Sequence, residues 1–353
     1  MSTPPPGVPL LQPRFARWRY LALTIGLAGL VACALMAHTQ PVAAMRSYWA
    51  AWLYCLGLSL GALSLLMVHT LTGGRWGEAL RPLLRAALRP LPLLALLLVP
   101  VAFGLPRLFA WAAVPAARAG AYLNRPFFLA RAVIYLLTWL VLAALLRRRA
   151  CAGTAVSAAG LLLYAFTMSF ATVDWFVSLQ PQWSTTAAGL IVIAAQALGA
   201  LSFAVLVACG ARPRPQAAIR NDLGTLLFVC MLLWAYVAYA QFLTVWGGDL
   251  PRESRWYLAR MVPGWRGLTF LLVAARFALP FGLLLFRRVK RSVGALPVIA
   301  AVLLATNWLY TLWLVAPSVA GAAPGLRWLD VAAVAGIGGL WTFFFAGAPG
   351  AGA

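Results

Sequence analysis

Ten apolar runs, each long enough to cross a bilayer when wound as a helix, recur along this 353-residue chain. They cover approximately residues 20–37, 49–71, 91–114, 127–146, 156–172, 187–209, 223–246, 267–286, 295–316 and 328–345. Hydrocarbon supplies no water, so a crossing segment must satisfy its own backbone N–H and C=O groups, and a run of about 20 apolar residues does so as an α-helix. Composition agrees: 64% of residues are hydrophobic and 10% charged, against about 45–50% and about 25% in soluble domains. The expectation is an all-α polytopic membrane protein with about ten transmembrane helices.

A net charge of +22 would point to nucleic acid in a soluble protein, but here the 28 basic residues sit mostly in short connections between apolar runs. Such a distribution sets topology and makes no nucleic-acid groove. Seventeen basic residues fall on the N-terminal side and its alternate connections, eight on the opposite side, so both termini are expected in the cytoplasm. Residues 1–13 hold five prolines and no periodicity, which predicts a disordered tail. A second reading of the first run stays open, because Leu30-Val31-Ala32-Cys33 behind a basic flank resembles a lipoprotein signal peptide.

Metal and redox chemistry find few ligands. Cys33, Cys55, Cys151, Cys209 and Cys230 show no C-x-x-C spacing, which indicates neither an iron-sulfur ligand set nor a disulfide framework. The two histidines, His38 and His69, fall near opposite membrane faces, against bis-histidine haem ligation within the chain, and a zinc site lacks ligands. The first outer connection, residues 38–48, has no acidic residue, contrary to a polyprenyl-phosphate glycosyltransferase.

The polar residues inside or beside the runs are therefore the candidates. Asp174 is the sole charged side chain between Arg149 and Arg212. It reads equally as an intramembrane functional carboxylate or as a residue at headgroup level, and Trp175 and Trp183 fit either reading. Ser178 lies one helical turn beyond it, and the two could bind water or a quinone headgroup. Arg131 is the cation available to the same bundle; an ion pair would make Asp174 a strut, and isolation would leave it a proton carrier. His69 is an interfacial ring or the inner mouth of a proton route. Gly57 and Gly61 form a small-residue ridge for helix packing. The 247–260 connection, with Pro251 at a helix start and Trp256, Tyr257 and Arg260 beyond it, reads as a surface helix whose three named side chains anchor to the membrane or dock an extrinsic subunit. Arg276 sits deep in the eighth run, and Pro280 and Pro297 interrupt the eighth and ninth, features that secondary transporters also use.

Several segments in order carry a family resemblance: Leu58-Ser59-Leu60-Gly61-Ala62-Leu63, Leu71-Thr72-Gly73-Gly74-Arg75-Trp76, Tyr122-Leu123-Asn124-Arg125-Pro126-Phe127, Val173-Asp174-Trp175-Phe176, Leu250-Pro251-Arg252-Glu253 and Phe277-Ala278-Leu279-Pro280-Phe281. Together they resemble the F subunit of alternative complex III, a "second quinone-binding subunit" related to NrfD-like membrane subunits. The resemblance implies a bacterial inner-membrane complex that oxidises quinol. Its partners would be a membrane-embedded quinol-binding subunit and extrinsic subunits carrying haem c and iron-sulfur clusters. This chain would bind no redox cofactor itself, with quinone or quinol as its one candidate ligand.

The implied architecture is two four-helix bundles flanked by single helices. It divides the chain into a tail (1–19), a first helix and outer loop (20–48), a first bundle (49–172), an outer connection (173–186), a second bundle (187–316) and a last helix with its tail (317–353). Asp174 and His69 match the family pattern, whereas Thr70, Gln182 and Arg276 stand where it has histidines and Tyr310 where it has an acid. The implied function is a scaffold for the quinol site that contributes a quinone or proton pathway; the alternative is a stand-alone secondary transporter.

Overall fold

A computed structural model describes residues 13–114, 120–148, 153–319, 321 and 324–347. Residues 1–12 of the predicted tail and Cys151 lie outside the described residues, whereas 13–19, expected as tail, are the first turns of a helix. Nine helices among them are long and apolar enough to cross a membrane, and the protein is an all-α, multi-pass integral membrane protein.

Helix α1 (Pro13–Thr39) and α2 (Pro41–Thr72) are separated by Gln40 alone. The stretch expected as an outer loop is thus mostly helix, because Pro41 fits the first turn of α2 without forfeiting a hydrogen bond. α2 is the buried axis of the molecule, and it ends where Gly73 and Gly74 adopt φ of 70° and 104°, a region that glycine enters without steric cost. A short helix, α3 (Arg75–Ala86), follows with Leu80, Leu83 and Leu84 turned inward.

The third apolar run is not one helix. It breaks into α4 (Leu91–Leu96), α5 (Val99–Leu108) and a 3-10 turn at Ala110–Ala113. Pro92, Pro100 and Pro106 remove three backbone donors from this run, and Pro90 a fourth just before it. Side chains of α2 take up carbonyls along it: the Tyr48 hydroxyl donates to Leu97 O at 2.7 Å and the Trp52 indole to Leu94 O at 2.8 Å.

α6 (Arg125–Arg147) starts at Asn124, whose side chain accepts from Phe127 N at 2.9 Å. α7 (Thr154–Trp175), α8 (Ala188–Gly210) and α9 (Ala217–Gly248) follow. The next connection holds α10 (Pro251–Leu258), which begins at Pro251 as its sequence predicts. The eighth run comprises α11 (Arg266–Leu271), a π-helical stretch (Leu272–Ala278) and α12 (Leu279–Leu285). The interruption immediately precedes Pro280, whose missing N–H frees a carbonyl one turn back. The basic turn α13 (Arg287–Arg291) leads to α14 (Ala295–Val315) and α15 (Trp328–Ala346). Pro297 lies in the first turn of α14 and leaves that helix unbroken.

Small residues set the closest helix approaches. A side chain on Gly61 would fall on the Gln196 carbonyl of α8, whereas one on Gly57 would meet only Gln196 Cγ, at 3.1 Å. This is the packing role expected of the ridge. α1 meets α15 in the same way, through Gly26 and Gly29 against Gly336 and Gly339.

Candidate functional site

Asp174 lies in the last turn of α7 and is fully buried. Arg131 of α6 grips it with Nε to Oδ2 at 2.8 Å and Nη2 to Oδ1 at 2.7 Å, and the Tyr135 hydroxyl donates to Oδ2 at 2.9 Å. The guanidinium also donates from Nη1 to Tyr122 O at 3.1 Å and stacks on the rings of Tyr122 and Phe127, 3.9 and 4.3 Å from their centroids. The bidentate geometry fixes the two side chains in one relative orientation. Burial and the nearby Asp174 charge raise the pKa of the Tyr122 phenol, which keeps that ring neutral.

Ser178 does not reach the carboxylate; its hydroxyl donates to the Asp174 backbone carbonyl and closes the helix end. Trp175 is also fully buried, within 6.0 Å (ring centroids) of Trp49, Trp52, Tyr135 and Trp139. These rings fill the space beside the ion pair. Trp175, which fits either reading of Asp174, is a core residue.

A second buried pair joins α2 to α15. Arg46 Nη2 reaches both Asp330 oxygens at 3.1 Å, Ser47 Oγ donates to Oδ1 at 2.5 Å, and Arg327 N donates to Oδ2 at 2.8 Å. Sequence reasoning treated Arg46 as a topological charge and passed over Asp330. Asp330, like Asp174 a scarce acid set in an apolar run, carried the same signal.

Arg276 is fully buried on the π-helical stretch. No carboxylate pairs with it among the described residues. Its Nη2 donates to Asn307 Oδ1 at 2.9 Å, and its charge rests on the rings of Trp234 and Tyr310 at 4.2 and 4.8 Å. Nε and Nη1 have no hydrogen-bond partner there.

His69, at the far end of α2, is buried against Trp76 and Gly77, with Nε2 3.1 Å from Gly74 O. It braces the Gly73-Gly74 turn, well separated along the helices from Asp174. The structure therefore gathers Arg131, Asp174 and, through the backbone, Ser178; Arg276 and His69 stand apart from them.

Trp256 and Arg260 do not form an outward docking face, contrary to expectation. Trp256 is buried in a stack with Trp183 (centroids 4.5 Å apart, planes 12°) and edge-on to Trp313. Arg260 is fully buried under Trp256, 3.4 Å from the ring centroid. It donates to Trp256 O at 2.7 Å, Trp313 O at 3.1 Å, Leu314 O at 2.8 Å and Ser318 Oγ at 3.0 Å. The guanidinium turns inward because the C-terminal turn of α14 offers carbonyls with no helical partner. Tyr257 alone of the three is partly exposed.

These residues build one wall of a cleft of about 1010 Å³ between α8, α9, α10, the π-helical stretch and α14. Its lining is overwhelmingly apolar, including Ile191, Val192, Phe242, Leu272, Phe277 and Leu314, and the lining residues Tyr236, Tyr239 and Trp246 are exposed. Three buried donors line it without a hydrogen-bond partner within the described protein: Gln241 Nε2, Trp183 Nε1 and Trp234 Nε1. An unsatisfied donor in an apolar wall is costly, and an apolar cleft of this size with such donors among its lining residues fits a ligand that brings acceptor oxygens on an otherwise apolar body. Sequence reasoning missed Gln241, although an amide in an apolar run was the available signal.

The chain matches no protein-family model and no curated protein. Fold and cleft together define the class: a polytopic α-helical integral membrane protein with an apolar cleft among its helices.

Proposed function

We propose that the protein is a membrane subunit of a bacterial quinol-oxidising complex of the alternative complex III type, and that its cleft takes a quinone or quinol. The observation that carries this reading is the cleft itself, where Gln241, Trp183 and Trp234 present unpartnered donors within an apolar lining. A quinone supplies the complement: carbonyl oxygens on a flat ring that packs against indole and phenol faces, and an apolar tail suited to lipid. The Arg131–Asp174 and Arg46–Asp330 pairs fit a scaffold, since each ties two helices together through a buried ion pair.

Purification of a tagged chain in mild detergent tests the assignment to a complex. Haem c absorbance and quinol oxidation are expected to accompany it. A colourless, solitary protein would favour the second reading, a stand-alone transporter, for which the π-helical interruption around Arg276 is the supporting observation.

A further inference from the structure

A concentration of cations without an ion pair among the described residues lies at the turn between α12 and α14. Arg287, Arg288, Lys290 and Arg291 fill four of the five positions of α13, with Val289 between them. Extended backbone at Phe286 and Ser292 bounds the turn on both sides, with ψ of 122° and 137°. None of the four forms an ion pair among the described residues.

The turn is fixed in place. Lys290 lays its Cβ and Cγ against Gly224 of α9, and Arg220 donates from Nε to the Arg291 carbonyl at 2.8 Å, adding a fifth cation. The nearest acid on α9, Asp222, is engaged by Arg75 at 3.4 Å. Immediately beside these cations the surface is apolar, with Leu285 and Phe286 exposed by 56% and 64%.

A fixed basic collar next to exposed apolar side chains matches an amphiphile whose anionic head and acyl chains lie side by side. We infer that α13 and the first turns of α9 bind the headgroup of an anionic phospholipid, with the acyl chains against Leu285 and Phe286. Basic clusters at the ends of membrane helices attract acidic lipids by about 1 kcal/mol per residue, which is roughly fivefold in affinity. Lipid is favoured over free phosphate because the apolar flank adds binding that only acyl chains can use.

The test uses the full-length protein in neutral detergent, exposed to equimolar phosphatidylglycerol and phosphatidylcholine, with retained lipid counted by native mass spectrometry. Retention of phosphatidylglycerol over phosphatidylcholine is expected. The triple variant Arg287→Gln, Arg288→Gln, Arg291→Gln should weaken retention by about a hundredfold. The charge-preserving triple change to lysine should keep most of it, which separates loss of charge from loss of fold. Equal retention of both lipids, or undiminished phosphatidylglycerol on the glutamine variant, would overturn the inference. So would complete displacement by millimolar inorganic phosphate, since the site would then be one for the free ion.

Discussion

Arg131 and Asp174 meet through two parallel charge-assisted hydrogen bonds, 2.8 and 2.7 Å long, although 43 residues separate them in sequence. The pair locks α6 to α7 beside a packed aromatic cluster, which makes the carboxylate a strut. Asp174→Asn would leave a buried guanidinium without its counter-charge, at a cost of about 3–5 kcal/mol. The expected result is a markedly lower unfolding midpoint in detergent and less assembled complex, with normal turnover in what remains. Adding Arg131→Met should cost less than the sum of the single changes. Strict additivity, or lost turnover at full assembly, would show that the carboxylate acts otherwise.

Gly57 and Gly61 look alike in sequence and differ in space. Gly61→Ala places its new methyl on the Gln196 backbone, and overpacking of this kind typically costs about 1–3 kcal/mol. Gly57→Ala meets only the flexible Gln196 side chain. Size-exclusion profiles of the detergent-extracted variants should show a monodisperse Gly57→Ala protein and a depleted or aggregated Gly61→Ala protein.

Gln241→Leu separates ligand binding from stability. The amide nitrogen has no partner to lose within the protein, so its removal should leave the thermal midpoint unchanged or raised. Quinone affinity should fall about threefold to tenfold, the worth of one neutral hydrogen bond. Titration with a short-chain quinone, followed by tryptophan quenching, reads this directly; unchanged affinity would remove Gln241 from the site.

Tyr257 contributes an alkaline limb to stability. Burial pushes its phenol above the ordinary value near 10, the Tyr310 phenol adds to the shift and Arg260 opposes it. A folded pKa above the unfolded one means that the neutral ring's contribution is complete below about pH 10. It is lost as pH rises from there through the folded value. Tyr257→Phe should therefore lose less stability than the native chain between pH 9.5 and 11, measured by thermal unfolding across that range; parallel profiles would refute the assignment.

The sequence by itself determined the class of this protein and most of its helices, because a segment in hydrocarbon must close its own backbone hydrogen bonds and needs no neighbour to do so. It also determined local stops such as the Gly73-Gly74 turn and the start of α10 at Pro251. The tertiary structure alone decided where the polar side chains go. Spans such as α8 and α9 are apolar on nearly every face, so periodicity does not say which face meets which helix. Arg46 and Asp330 lie 284 residues apart, Trp256 and Arg260 turn inward to meet α14, and the cleft draws its walls from segments spread between α7 and α14. Each of these depends on helix rotation and depth, which packing between distant segments sets and a local run of residues does not encode.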